Sequence, residues 1–159
     1  MLDHDYAVDL RWTGARDVGT VSYRSYGRDN TLSADGTLHD IAASADRTFH
    51  GDADRWNPEE MLLGALAQCH LLSYLHVAAT DGIVVVAYED AAVGRMTQTA
   101  DGGGRFTSVT LRPVVTVAEA GMADRALALH ADAARKCFIA SSVAFPVDHE
   151  PLIVVAAQP

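Results

Sequence analysis

The sequence predicts an α+β fold, and three observations carry that prediction. Trp56 to Thr80, WNPEEMLLGALAQCHLLSYLHVAAT, is rich in Leu and Ala and nearly free of β-branched residues, which is helix composition. Met122 to Lys136 is Ala-rich, with Ala126, Leu127, Leu129, His130, Ala133 and Ala134 spaced for a second helix. Elsewhere, runs rich in Val, Thr and Tyr are separated by Gly- and Asp-containing turns, as strands are. The expected order is strands, buried helix, long hairpin, second helix and last strand, in one domain over residues 1–159.

Tyr6 to Trp12 alternates apolar and charged residues, the period of a half-buried strand. Thr13 to Asp17 reads as a turn and Gly19 to Tyr26 as the partner strand, followed by a turn at Gly27 to Asn30. Short strands are expected near Thr31–Ser33 and Thr37–His39, joined by Ala34-Asp35-Gly36. Ile41 to Arg55 has no clean period and is expected to be an ordered loop, which at this length is usually functional. Asn57 before Pro58 marks a helix start: Asn caps, and Pro at the first position loses no hydrogen bond. Glu59 and Glu60 then meet the positive end of the helix dipole. The helix is apolar on almost every face, so it is expected to be buried, with Gly82 as its stop. Ile83 to Tyr88 and Ala91 to Thr99 read as strands, Asp101 to Gly104 as a hairpin tip, and Arg105 to Val117 as a long return strand. Pro113 within that strand argues for an edge or a bulge. Leu152 to Ala156 is the final short strand.

The 159 residues suffice for one core, burying roughly 68–70% of the unfolded surface. A net charge of −9 argues against nucleic acid and anionic membranes as partners. MLDHDYAVDL has no basic or apolar leader region, so a cytoplasmic protein is expected. The central helix has the length of a membrane span, but its opening glutamates and His70 and His76 mark it as a core helix.

Two cysteines, Cys69 in the first helix and Cys137 at the end of the second, are the starting point for chemistry. The commonest role of a free cysteine is to fill space. The functional reading is a redox pair, in which one thiolate is oxidised to a sulfenic acid and the other condenses with it. An unperturbed thiol is only a few per cent ionised at neutral pH, and burial suppresses ionisation further. A reactive Cys69 therefore needs a cation. Arg28, in a turn between Gly27 and Asp29, is the first candidate, with Arg11, Arg16, Arg24, Arg47 and Arg55 as competitors. Glu59 could fix a guanidinium by a bidentate pair, although dipole complementarity alone also explains it. Ten residues of straight helix separate Glu59 from Cys69 by about 15 Å, so contact needs a long arginine between them, a broken helix or a second subunit. His50, His70, His76, His130 and His149 raise the question of a metal. His70 and His76 are six apart, a spacing that does not put them on one helix face as an i, i+4 pair would, and no C-x₂-C occurs, so no metal site is expected. Gly102 to Gly104 lacks the Lys-Ser/Thr of a phosphate loop, and Ser141 and Ser142 lack a nucleophile elbow.

Together these residues resemble the OsmC/Ohr family of thiol-dependent peroxidases. Asn57-Pro58-Glu59 is followed by GALAQC ending at Cys69, and Arg135-Lys136-Cys137-Phe138-Ile139-Ala140-Ser141-Ser142 resembles the family's second-cysteine segment. Gly27-Arg28-Asp29, with Ser33 to Gly36 behind it, resembles its arginine turn. The resemblance covers nearly the whole chain and implies antiparallel sheets around two long central helices, in an intertwined homodimer with active sites at the subunit interface. It gives Cys69 as the peroxidatic cysteine, Cys137 as the resolving one, Arg28 as the thiolate-activating arginine and Glu59 as its carboxylate partner. The implied reaction reduces organic hydroperoxides to alcohols, with a dithiol reductant as co-substrate and neither metal nor organic cofactor, in defence against oxidative or osmotic stress. The loop at Ile41–Arg55, Asp54-Arg55-Trp56, His70 and Phe138 depart from the Ohr branch and point to an OsmC-like subgroup outside it. The alternative is a non-catalytic dimer binding an apolar ligand, with unreactive buried cysteines.

Overall fold

The structure, a computed structural model, describes residues 2–157. Its backbone divides into two compact units, Met1–Leu62 and Leu63–Pro159. The first holds one antiparallel sheet of β1 (Asp9–Trp12), β2 (Asn30–Ser33) and β3 (Ile41–Ala43), in that order. β1 pairs β2 from Asp9 opposite Ser33 to Trp12 opposite Asn30.

Gly19 to Tyr26 is not the partner strand that its composition suggests; it forms consecutive turns and bends. Ser25 is the cause. Its hydroxyl donates to Gly19 O at 2.7 Å and takes the Ser22 amide at 3.1 Å, local bonds that compete with a strand ladder. Thr37–His39 is likewise no strand. The turn at Ala34–Gly36 closes through Thr37 N to Ala34 O at 3.2 Å, and pairing resumes only at Ile41, inside the expected loop. The rest of that loop is ordered: Asp46 caps a 3₁₀ turn over Arg47–Phe49, and Asp52 N donates to Ser44 Oγ at 3.2 Å. Gly51 packs so closely that an added Cβ would lie 1.6 Å from Ala45 O.

Helix α1 (Pro58–Thr80) runs unbroken for 23 residues. Its expected cap forms, with Glu60 N donating to Asn57 Oδ1 at 2.8 Å. In the second unit follow β4 (Val85–Asp90), β5 (Val93–Gln98), β6 (Gly104–Leu111), β7 (Pro113–Val117), α2 (Ala123–Lys136, 14 residues), β8 (Val147–His149) and β9 (Leu152–Val155). They form two three-stranded sheets, β4-β7-β9 and β5-β6-β8.

The long strand expected over Arg105–Val117 is split at Arg112 into β6 and β7, which belong to different sheets. Arg112 N turns to Asp90 Oδ1 at 2.8 Å, and Pro113, which has no N–H to offer, opens β7. β7 is the central strand of its sheet, so Pro113 marks a strand start and neither an edge nor a bulge. The sheets are mixed, whereas the resemblance implies antiparallel ones. β4·β7 and β5·β6 are antiparallel hairpin-type pairs, but β6·β8 and β7·β9 are parallel. The connection from β7 passes through α2, and such a crossover returns the chain in its original direction.

The core gathers Tyr74, Val77, Ala78 and Ile83 from α1 and its exit, Val115 and Val117 from β7, and Ala126, Leu129 and Ala133 from α2. On α1 burial is confined to one stripe, Leu66, His70, Tyr74, Val77 and Ala78. The expectation of a helix buried on nearly every face does not hold within one chain: Leu72 is 60% exposed and Leu75 38%. Leu129, 2% exposed, fills the space between these elements. Leu129→Ala is expected to cost about 2–5 kcal/mol in urea unfolding; a loss below about 1 kcal/mol would mean that this contact is not the core.

Candidate active site

Cys69 and Cys137 are brought together. Cys69 sits midway along α1, beside the buried stripe and partly buried, while Cys137 follows the end of α2 and is 1% exposed. Both are free thiols, and they are near enough that the Cys69 thiol contributes to raising the Cys137 pKa. Local backbone chemistry presents the second sulfur. Cys137 leaves the helix with extended backbone, its N–H still reaching Ala134 O, and the chain turns at once into a 3₁₀ turn over Ala140–Ser142. Ser141 then returns two bonds to Cys137 O, from its amide at 3.1 Å and its hydroxyl at 3.0 Å. Ala140 N points at Cys137 Sγ, 3.4 Å away. Burial, with the neighbouring Cys69 thiol second, pushes the Cys137 pKa up to about 11, so it carries its proton at neutral pH.

In the first unit Gly27 to Asn30 is not the expected turn: the turns and bends end at Tyr26, Gly27 to Asp29 is irregular backbone, and Asn30 already opens β2. The segment runs beside the end of β1, held by Thr13 N to Asp29 O at 2.9 Å, Gly27 N to Gly14 O at 2.8 Å and Trp12 Nε1 to Gly27 O at 2.9 Å. Gly14 is required there, because a Cβ would meet Gly27 O at 2.1 Å. The guanidinium folds back on the turns that precede it. It donates to Tyr26 O at 2.6 Å and Tyr23 O at 2.7 Å and lies over both tyrosine rings, 4.5 Å from the Tyr23 centroid and 4.2 Å from that of Tyr26. Among the described residues no ion pair joins Arg28 to Glu59; Asp29 instead pairs with Arg55 at 3.5 Å. Glu59 Oε2 is buried without a hydrogen-bond partner. Of the competing arginines, Arg55 is thereby engaged by the residue that follows Arg28.

A second constellation joins histidines whose sequence spacing gives no sign that they meet. His70, His130 and His149 converge in the core: His70 Nε2 is 3.0 Å from His130 Nδ1, and the His70 and His149 ring centroids are 4.3 Å apart. Tyr74 stacks on His130 at 4.1 Å and donates its hydroxyl to Ala126 O at 3.0 Å. Burial holds His70 down to about 3 and His130 to about 4, with His149 also depressed by burial. Histidines 60 and 79 positions apart give no short-range signal; only their placement on apolar faces, His70 in α1 and His130 in α2, hinted at burial. The His70 and His130 rings lie 16° from parallel with their centroids 5.3 Å apart, and their nitrogens meet each other.

A family model described as "OsmC-like protein" matches residues 51–151. Among solved structures, an OsmC-like protein of unknown function from Vibrio cholerae O1 biovar eltor superposes with TM-score 0.81 at 29% identity, covering 94% of this chain and 100% of that one. An organic hydroperoxide resistance protein OsmC from Legionella pneumophila gives 0.70 at 18% identity, over 97% of this chain and 99% of the other. An organic hydroperoxide resistance protein from Elizabethkingia anophelis gives 0.66 at 14%, over 98% and 100%. A search of curated proteins found no significant match.

The raised Cys137 pKa has a direct consequence. At pH 8 roughly one Cys137 in a thousand is thiolate, so iodoacetamide labelling followed by peptide mass spectrometry is expected to leave it unmodified and to accelerate only above pH 10. Half-maximal labelling near pH 8.5 would contradict the burial described.

Proposed function

The chain belongs to the OsmC-like protein family, and from that premise and its two adjoining thiols we propose that it is a thiol-dependent peroxidase of organic hydroperoxides. The observation that carries the reading is the meeting of Cys69 and Cys137, 68 positions apart in sequence, as free thiols of unequal exposure. Cys69, the more accessible, attacks one peroxide oxygen; the O–O bond breaks, the alcohol leaves with a proton, and Cys69 becomes a sulfenic acid. The Cys137 sulfur then displaces that hydroxyl as water, forming the Cys69–Cys137 disulfide. A dithiol reductant returns both sulfurs to thiols and carries away two electrons' worth of oxidation. Neither metal nor organic cofactor takes part in this scheme.

Arg28 takes the role of thiolate activator and Glu59 that of its anchor. The buried, unpartnered Glu59 Oε2 supports the second assignment, since a guanidinium would supply the missing donors. For Arg28 to do so, it must exchange the Tyr23 and Tyr26 carbonyls for the carboxylate. The working form is a homodimer with active sites at the subunit interface. In its support, β1 leaves Leu10 and Trp12 exposed, and α1 leaves Leu72 and Leu75 exposed, apolar surface that a second copy would cover.

A second reading rests on an open groove of about 440 Å³ lined by Leu75, Ala78, Ala79, Gly82, Ile83, Val84 and Val85. Its lining suits an apolar ligand, with the cysteines as inert filler. Organic-hydroperoxide turnover with a dithiol reductant separates the two. Cys69→Ser is expected to abolish turnover, and Cys137→Ser to permit a single turnover without an internal disulfide. Full steady-state activity in Cys69→Ser would leave the ligand-binding reading standing.

A further inference from the structure

The contacts between α1 and α2 form an antiparallel ladder. Arg125 pairs with Asp81 at 2.7 Å, Tyr74 Oη donates to Ala126 O at 3.0 Å, and His70 Nε2 meets His130 Nδ1 at 3.0 Å. The histidine rung lies nearest the thiols. His70 follows Cys69 directly, and His130 precedes Cys137 by seven residues, two turns along the same helix face. We propose that His70 and His130 are a proton-operated latch, which as neutral rings clasps α2 to α1, and Cys137 to Cys69, and which releases α2 when the rings are protonated. The clause about the thiols rests on the reading of Cys69 and Cys137 as a working pair; the latch itself does not.

The chemistry of the bond gives it this property. A nitrogen-to-nitrogen hydrogen bond needs one nitrogen that carries a proton and one that does not. Two neutral imidazoles supply that pairing, whereas two imidazolium rings set N–H against N–H and break it. One added proton already places a charge among residues 0% and 4% exposed, beside outer nitrogens, His70 Nδ1 and His130 Nε2, that have no partner. The surroundings offer little to stabilise that charge. From α1 comes Tyr74, from β8 His149 and the neighbouring Asp148, and from β4 Tyr88 and Asp90. Burial raises Tyr74, Tyr88 and Asp90 alike toward their neutral forms. Asp90, whose Oδ2 is buried and unpartnered, favours a proton on His149, the ring next to His70, and that charge opposes a second one on His70.

The sign follows from linkage. Both rings have folded-state pKa values below the ordinary 6.5, so the closed form binds fewer protons than the released form. Closure is complete above pH 6.5 and weakens as pH falls toward 4. For two rings that stay neutral when closed, the opening equilibrium rises roughly fiftyfold between pH 6 and pH 5.

Amide hydrogen exchange over Ala126–Ala133 of α2, corrected for intrinsic pH dependence, reads that equilibrium in the full chain. Wild type is expected to show the fiftyfold rise, and the His70→Leu/His130→Leu double variant less than a threefold one. A flat wild-type profile, or the same rise in both proteins, overturns the proposal. If the double variant does not fold, side-chain ¹⁵N spectra of wild type decide: two neutral rings at pH 6 with complementary protonated nitrogens support the latch, and a ring titrating near 6.5 overturns it. Diamide tests the thiol clause without hydroperoxide, since its azo bond takes two electrons and two protons from the dithiol as the disulfide forms. Closure slowed roughly tenfold or more in the folded double variant at pH 7.5 supports that clause, and equal closure removes it. Failure of diamide to close the pair in either protein counts against the thiol-pair reading, while the exchange profile still decides the latch.

Discussion

One stripe of α1 sets the geometry of residues 63–159. Leu66, His70, Tyr74, Val77 and Ala78 are its buried members, and two of them, His70 and Tyr74, carry polar atoms into the core. Apolar side chains alone would allow α2 to slide along that stripe, because dispersion and desolvation have no direction. Tyr74 Oη and the His70 ring do have direction, and each finds its partner on α2, at Ala126 O and His130. The apolar residues supply the driving force and the polar ones choose the register. The thiol pair inherits that register, one cysteine beside the stripe and the other where α2 stops.

Much of this was legible in advance. The helix start at Asn57-Pro58, the span to Thr80 and the second helix follow from propensity and capping, which act locally, and the structure reproduces them. The three motifs around Arg28, Cys69 and Cys137 identified the family, which the model match over 51–151 establishes. What stayed hidden depends on distant partners. Ser25 chose backbone groups three and six residues away over a strand ladder, which β-propensity does not register. Pro113 argues for an edge or a bulge only in an unbroken strand, and this strand breaks where Asp90, 22 residues earlier, takes the Arg112 amide. Local spacing is blind to the histidine cluster, because its members come from α1, α2 and β8.

Arg28 illustrates the difference between placing a residue and placing its charge. Its place beside the end of β1, rather than in a turn of its own, follows from the backbone bonds of Gly27 and Asp29 to Gly14 and Thr13. The direction of its guanidinium does not, because that depends on two tyrosine carbonyls and two ring faces whose positions come from the turns of Gly19–Tyr26. Glu59 shows the converse: a residue fully explained as dipole complementarity carries a buried oxygen with no donor. A buried acceptor left open is costly, and it is that cost, more than the charge, that sets Glu59 apart from Glu60.

The parallel pairings have a further consequence, in time. Val109 faces Val147 and Val114 faces Leu152, so both returns span the same 38 residues and enclose α2. A chain emerging from the ribosome can pair β4 with β7 early, but the far edge of β7 stays open until α2 and β9 have followed. β7 is a row of Val and Thr, and an unpaired edge of that composition is a template for association with other chains. The interval between the synthesis of β7 and that of β9 is therefore when this protein is most exposed to aggregation, and α2, the element between them, sets its length.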